Sequence, residues 1–371
     1  MAVVVAALKE KAAGETRVAI APDVAAMLTK KGFTVWIESG AGAGAHFSDA
    51  SYKEAGATVV TAAKALKSAD VILAVRRPSD AIVKKLSSGQ VLLGLLDSRV
   101  DEKALLAAAK KGVVPLCLHR LPRTLSRAQS MDALSSQASI AGYRAAIVAA
   151  DAYDRYFPMM ITAAGTARPA SVLVLGAGVA GLQAIGTARR LGAQVSAYDV
   201  RPSAAEEVTS LGATFLDVGV GDAAGEGGYA RELTKAEAAE QQKKLEEKIA
   251  KFNVVITTAK VPGRKPPVLV TKNAVAAMQP GTVVVDIAAS DLGGNVVGSK
   301  PDQTVTTKNG VTIIGAGSIE SSAGAGASQA YSKNLANVLE SLVTDGSLDL
   351  KEDDEVLDAI WVRAQKKGDA A

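Results

Sequence analysis

Short apolar runs alternate along this chain with stretches whose apolar residues recur every three to four positions. Before residue 120, strand-like runs fall at 17–20, 34–38, 71–75, 91–95 and 113–117, with helical spacing at 22–31, 52–55, 61–68, 80–86 and 101–110. Such alternation predicts a parallel sheet with helices on both faces. An alanine-rich stretch with few breakers, 131–156, reads as one long helix ending before Pro158. Beyond it, six more strands are predicted at 171–175, 194–198, 213–217, 253–258, 283–287 and 311–315, the number a full dinucleotide fold requires. A charged helix is expected at 235–251, a helix returning to the first lobe at 328–343, and a fraying tail at 348–371. The predicted class is α/β, two Rossmann-like doubly wound parallel-sheet domains joined by a long helix. The first comprises residues 1–133 plus 318–371 and the second 134–317.

Composition narrows this little. The 371 residues suit two domains, and aromatic residues make up only 4%, so the core must be built from Ala, Val, Leu and Ile. A net charge of +4 without a basic stripe argues against a nucleic-acid partner. A single cysteine, Cys117, excludes an internal disulfide, and two histidines, His46 and His119, argue against a histidine-rich metal site. The amino terminus lacks the basic region of a signal peptide, and the uncharged run 171–188 is better explained by its glycines than as a membrane span.

Those glycines carry the clearest chemistry. In SVLVLGAGVAGLQAIGTARRLGAQVSAYD, Gly176, Gly178 and Gly181 stand in G-x-G-x-x-G spacing between a strand and a helix. The first permits a tight turn, the second lets backbone approach a pyrophosphate, and the third lets helix and strand pack closely. Asp199, 23 residues beyond Gly176, is placed to accept a ribose hydroxyl, which favours NAD over NADP; Arg201 is the opposing signal. Residues 218–229 hold five glycines and end in Tyr229, the pattern of a closing lid.

A second polar run, RTLSRAQSMDALSS, lies at the presumed domain junction. With Ser130 as N-cap, Asp132 and Ser135 share a helix face with Gln129 just before them.

The runs SRAQSMDALSSQASIAGYRA and FPMMITAAGTARPASVLVLGAGVAGLQAIGTARRLGA, the loop's GGYA, RVAIAPD near the start and SKNLANVL near the end closely resemble one family. It is the NAD(H)-binding component, domain I, of proton-translocating nicotinamide nucleotide transhydrogenase, and the likeness spans most of the chain. The resemblance implies that Arg123, Gln129, Asp132 and Ser135 surround the nicotinamide, its carboxamide and its ribose. It further implies that Gly176, Gly178, Val179, Ala180 and Gly181 hold the pyrophosphate. Asp199, with Val200 and Arg201, would meet the adenosine ribose, and Tyr229 would close over the nucleotide. Thr258, Ala259 and Asn295 complete the implied cofactor contacts. The partners implied are an NADP(H)-binding component, a membrane-embedded proton channel on which this soluble chain docks peripherally, and a second copy of the chain.

The sequence departs from the family in places. The usual PRISRAQ is one residue longer here, Pro122 to Gln129, which leaves the nicotinamide-site arginine open between Arg123 and Arg127. Lys260 replaces an apolar residue, the DLA…GGN run (286–295) is one residue longer, and Glu320 opens a run where PSR is common. The rival reading is a related alanine dehydrogenase. Members of that family use a lysine in V-K-x-P and a histidine after the next strand. This chain has Val75-Arg76-Arg77-Pro78 and Leu95-Leu96-Asp97-Ser98 instead, leaving His119 as the one residue able to rescue that chemistry.

Overall fold

The computed structural model describes residues 2–97, 100–216, 218, 234–260, 265–351 and 353–363. The chain divides into two units, Met1–Gln137 with Ser321–Ala371, and Ala138–Glu320.

The first unit alternates Val4–Ala7 (β1), Pro22–Lys30 (α1), Thr34–Glu38 (β2), Asp49–Glu54 (α2), Thr58–Val60 (β3), Ala62–Ser68 (α3), Val71–Ala74 (β4), Asp80–Val83 (α4), Val91–Gly94 (β5), Glu102–Ala109 (α5) and Val114–Cys117 (β6). Its sheet is parallel throughout, in the order β3-β2-β1-β4-β5-β6. The central strands are buried on both faces and therefore read as unbroken apolar runs. Leu73 and Leu93 enter one core while Ile72 and Leu92 enter the other.

The expected strand at 17–20 is absent. Its backbone faces a helix instead, Val18 N–H donating to Ser328 Oγ and Ala21 N–H to Ser332 Oγ. The first strand is Val4–Ala7, and β3, short and half exposed, gave too weak an apolar run to be read.

Ligands of doubly wound sheets sit where the strand order reverses. In this unit that point, between β1 and β4, is filled by the chain's own side chains. Glu10 accepts from Val75 N–H at 2.6 Å, and the wholly buried Glu15 carboxylate is held by Arg17 at 2.6 Å and Arg76 at 2.8 Å. Burial pushes Glu10 up to about 7. Burial also opposes ionisation of Glu15, but the hydrogen bonds and charge of Arg17 outweigh it and hold that carboxyl at about 2. Because the folded Glu10 value lies above the unfolded one, its contribution to stability is complete below about pH 4.5 and lost as pH rises through 7. We expect the chain to lose up to about 3 kcal/mol from this group across that window. Glu10→Gln, which keeps an acceptor for Val75, should flatten the profile in urea titrations; an unaltered slope would contradict the assignment.

Ala133–Ala152 (α6) follows, four residues shorter at its end than the alanine-rich pattern implied, and then an unanticipated antiparallel hairpin, Met160–Thr162 (β7) with Gly165–Ala167 (β8). The second unit contains Ser171–Leu175 (β9), Val179–Arg190 (α7), Gln194–Tyr198 (β10), Ala204–Ser210 (α8), Thr214–Phe215 (β11), Lys235–Ile249 (α9), Val254–Thr257 (β12), Lys272–Ala277 (α10), Val283–Asp286 (β13), Thr304–Thr306 (β14) and Thr312–Gly315 (β15). The order is β11-β10-β9-β12-β13-β15-β14. All six expected strands are parallel, and the unforeseen β14 adds an antiparallel edge.

Gly324–Ser341 (α11), the short hairpin Val343–Thr344 (β16) with Ser347–Leu348 (β17), and Glu355–Ile360 (α12) belong to the first unit. Tyr331 of α11 is fully buried; its hydroxyl donates to Ala74 O at 2.7 Å and accepts from Leu95 N–H at 3.1 Å. The tail does not fray over its described length. Val356, Leu357 and Ile360 are buried, and Val362 N–H donates to Pro115 O at 2.9 Å, adding to the edge strand β6.

Candidate functional site

In the second unit the strand order reverses between β9 and β12, and the glycine loop leaves β9 at that point. Gly176 has φ +102°, and a Cβ there would lie 2.6 Å from Thr258 Oγ1. A Cβ on Gly181 would lie 1.9 Å from Gly176 O, so the helix meets the loop backbone directly. Around Gly178, by contrast, no heavy atom of the described residues would lie within 4 Å of a Cβ. Gly178 is also the N-cap of α7, where no side chain caps the helix and no acid stands in the first turn. Open room before uncapped N–H groups, Val179 and Ala180 among the residues of that first turn, fits an anionic pyrophosphate.

Asp199 follows β10 and ties the loop to its own neighbour. Its Oδ2 accepts from Ala177 N–H at 2.8 Å, and its Oδ1 accepts from Arg201 N–H at 2.9 Å and Arg201 Nε at 3.0 Å. The cation that opposed an NAD reading is therefore paired with the carboxylate that favoured it, across half-buried Val200. Thr258 braces the loop from β12, its hydroxyl donating to Gly176 O at 2.9 Å. Asn295 is wholly buried and occupied with backbone: it accepts from Ala259 N–H at 3.0 Å and donates to Ala259 O at 3.0 Å and Pro267 O at 2.7 Å. It supports Ala259 rather than presenting a free group. Lys260 is exposed, its Nζ 3.5 Å from Gly317 O. Tyr229 and the expected lid beyond Val218 lie outside the described residues.

In the first unit a 3₁₀ turn, Ser126–Met131, precedes α6. Asp132, not Ser130, caps that helix: its Oδ1 accepts from Ser135 N–H at 2.9 Å, because Ser130 lies within the turn and the helix starts only at Ala133. Arg123, Asp132 and Ser135 close a triangle. Arg123 Nε donates to Asp132 Oδ2 at 2.8 Å and its Nη2 to Ser135 Oγ at 2.6 Å, while the Ser135 hydroxyl donates to Asp132 Oδ2 at 2.6 Å. Gln129 is exposed beside them, its carbonyl accepting from Asp132 N–H. Arg127 is engaged elsewhere, bidentate to Asp354 at 2.7 and 2.8 Å; that pairing holds Asp354 at about 2. Asp354, which sequence reasoning passed over, also caps α12.

His119, the one residue left to the rival chemistry, and the two arginines of the Val75–Pro78 run each have structural partners. His119 Nδ1 hydrogen-bonds to Leu95 O. Arg76 holds Glu15, and Arg77 holds Asp101 at 2.7 Å and Asp80 at 2.6 Å.

Two family models match the chain: "Alanine dehydrogenase/PNT, N-terminal domain" over residues 6–141 and "Alanine dehydrogenase/PNT, C-terminal domain" over residues 145–368. An NAD(P) transhydrogenase subunit alpha polypeptide of Rickettsia prowazekii is 44% identical over 361 residues, covering 95% of this chain and 92% of that protein. The crystal structure of transhydrogenase from Sinorhizobium meliloti superposes with a TM-score of 0.87 at 45% identity, covering 97% of this chain and 98% of that one. Alanine dehydrogenase of Mycolicibacterium smegmatis is more distant, 34% identical over 77% of this chain and 72% of that protein.

Proposed function

The chain belongs to the alanine dehydrogenase/PNT family, and we propose that it is the NAD(H)-binding component of a proton-translocating nicotinamide nucleotide transhydrogenase. Hydride would pass directly from NADH on this chain to NADP⁺ on a partner component, coupled to proton movement through a membrane component.

One observation carries this reading: the Arg123–Asp132–Ser135 triangle, whose donors and acceptors are turned on one another. Exchange between two nicotinamides transfers no proton, so it needs no general acid or base. It needs a held geometry and the exclusion of water. Bound NADH supplies the hydride. The chain's own groups bind and orient: the loop from Gly176 to Gly181 cradles pyrophosphate, and Asp199 with Arg201 faces the adenosine ribose. Arg123, Gln129 and Ser135 orient the carboxamide and ribose of the nicotinamide, and Asp132 holds Arg123 and Ser135 in place. Arg123 rather than Arg127 takes the arginine's role, since Arg127 is tied to Asp354.

A homodimer is supported by an apolar hairpin region left uncovered, with Met159 58% and Ile161 76% exposed. An NADP(H)-binding partner is supported by the Rickettsia prowazekii relative, which is named as one subunit of an NAD(P) transhydrogenase. Among the described residues no helix is long and apolar enough to cross a membrane.

Fluorescence titration of the chain should show NADH bound well and NADPH poorly. With NAD⁺ and L-alanine, no cofactor reduction is expected at any pH. Sustained turnover lost on His119→Ala would instead establish an amino-acid dehydrogenase.

A further inference from the structure

Two runs singled out in the sequence, RVAIAPD at 17–23 and SKNLANVL at 332–339, have no role in the nucleotide chemistry above. We infer that Asn334 and Asn337 are positioning residues for Gln129, Asp132 and Ser135: their amides jointly hold the Ser130 carbonyl and so fix the turn that carries Gln129 and leads into Asp132 and the start of α6. The inference rests on the proposed hydride-transfer reading.

Asn334 Nδ2 and Asn337 Nδ2 each donate to Ser130 O at 2.9 Å, which fills both lone pairs of one carbonyl. The two asparagines stand three apart on α11 and so share a face. Asn334 Oδ1 also accepts from Ser136 Oγ at 2.7 Å, so this buried side chain clasps the chain on both sides of Asp132. The RVAIAPD run fixes α11 in turn. Ser328 and Ser332 accept from Val18 and Ala21 N–H, and Arg17 donates at 2.9 Å to Gln137, whose Nε2 donates to Ala327 O at 3.1 Å. Among the described residues the Gln129 side chain makes no hydrogen bond of its own. The point from which that side chain starts is therefore set by the backbone of its turn alone, and the Ser130 clamp lies at the next residue. A helix that had only to pack against this turn would need apolar side chains, whereas two amides aimed at one oxygen fix its orientation as well.

The test compares Asn334→Ala, Asn337→Ala and the double variant in the full chain. Three quantities are read: the single-turnover hydride rate at saturating NADH with an NADP(H)-binding component, the NADH Kd, and amide hydrogen exchange at residues 128–132 in the chain alone. The double variant should slow the hydride step about 10- to 100-fold, as sub-ångström to ångström misplacement does. Its NADH Kd should stay within about threefold, with faster exchange confined to that turn. Each single change, Asn337→Ala on the half-buried side chain above all, should show a smaller effect in the same direction. Unchanged exchange in the double variant overturns the inference, as does an unchanged hydride rate. Rate and affinity falling together with faster exchange throughout the first unit would show a merely structural role and also overturn it. If the unmodified chain transfers no hydride, the transhydrogenase reading fails instead, and the exchange data still decide whether the clamp orders the turn.

Discussion

Gly181→Ala is expected to abolish useful NADH binding, lowering affinity by about 100-fold or more. The new Cβ would sit 1.9 Å from Gly176 O, and because both partners are backbone, the loop or the start of α7 must move. Overpacking of this kind also costs about 1–3 kcal/mol of stability. Two neighbouring changes separate the causes. At Gly178 φ is −79° and no heavy atom of the described residues would lie within 4 Å of a Cβ, so Gly178→Ala should fold normally. Its methyl nevertheless occupies the room assigned to pyrophosphate, and NADH should weaken. Gly186, inside α7 with equally open surroundings, should accept alanine with unchanged binding and a gain of up to about 1 kcal/mol. Calorimetric titration with urea unfolding reads all three. Affinity of Gly181→Ala within threefold of the unmodified chain would remove the glycine loop from the site.

Arg123→Ala should lower the single-turnover hydride rate by about 100-fold, with a smaller loss in NADH affinity. The substitution removes one corner of the triangle and leaves Ser135 without the donor that sets its orientation. Lysine cannot repair this, because its single ammonium cannot address Asp132 and Ser135 as the guanidinium fork does. Arg127→Ala breaks only the pair with Asp354 and should leave the rate unchanged. If Arg127→Ala slows transfer and Arg123→Ala does not, the two roles are reversed.

Most central strands were legible because they are buried on two faces, which makes unbroken apolar runs such as Val71–Ala74 and Val91–Gly94; Val4–Ala7, equally apolar, went unread, and the run at 17–20 stood in its place. The glycine loop was legible because its residue types are forced by backbone contact. Other features carried no periodic signal. The strand-like run at 17–20 has an apolar composition, yet its N–H groups are met by serines more than 300 residues away. The tail reads as charged, yet three of the six residues of α12 are buried. In the site, sequence left Arg123 and Arg127 equivalent; only their partners, Asp132 and Asp354, separate them. The support given by Asn295 to Ala259 and by Thr258 to Gly176 was invisible for the same reason, since each joins segments distant in sequence.

If hydride passes directly between two nicotinamides, without proton chemistry on this chain, an isotope carried on the donor must reach the acceptor undiluted. The decisive measurement loads the chain with NADH deuterated at the transferring C4 position and mixes it with an NADP⁺-loaded NADP(H)-binding component in ordinary water. Mass analysis of the NADPH formed in one turnover should find the deuterium retained at C4, with no solvent hydrogen in its place. Loss of the label to solvent, or oxidation of NADH without labelled NADPH, would contradict direct transfer.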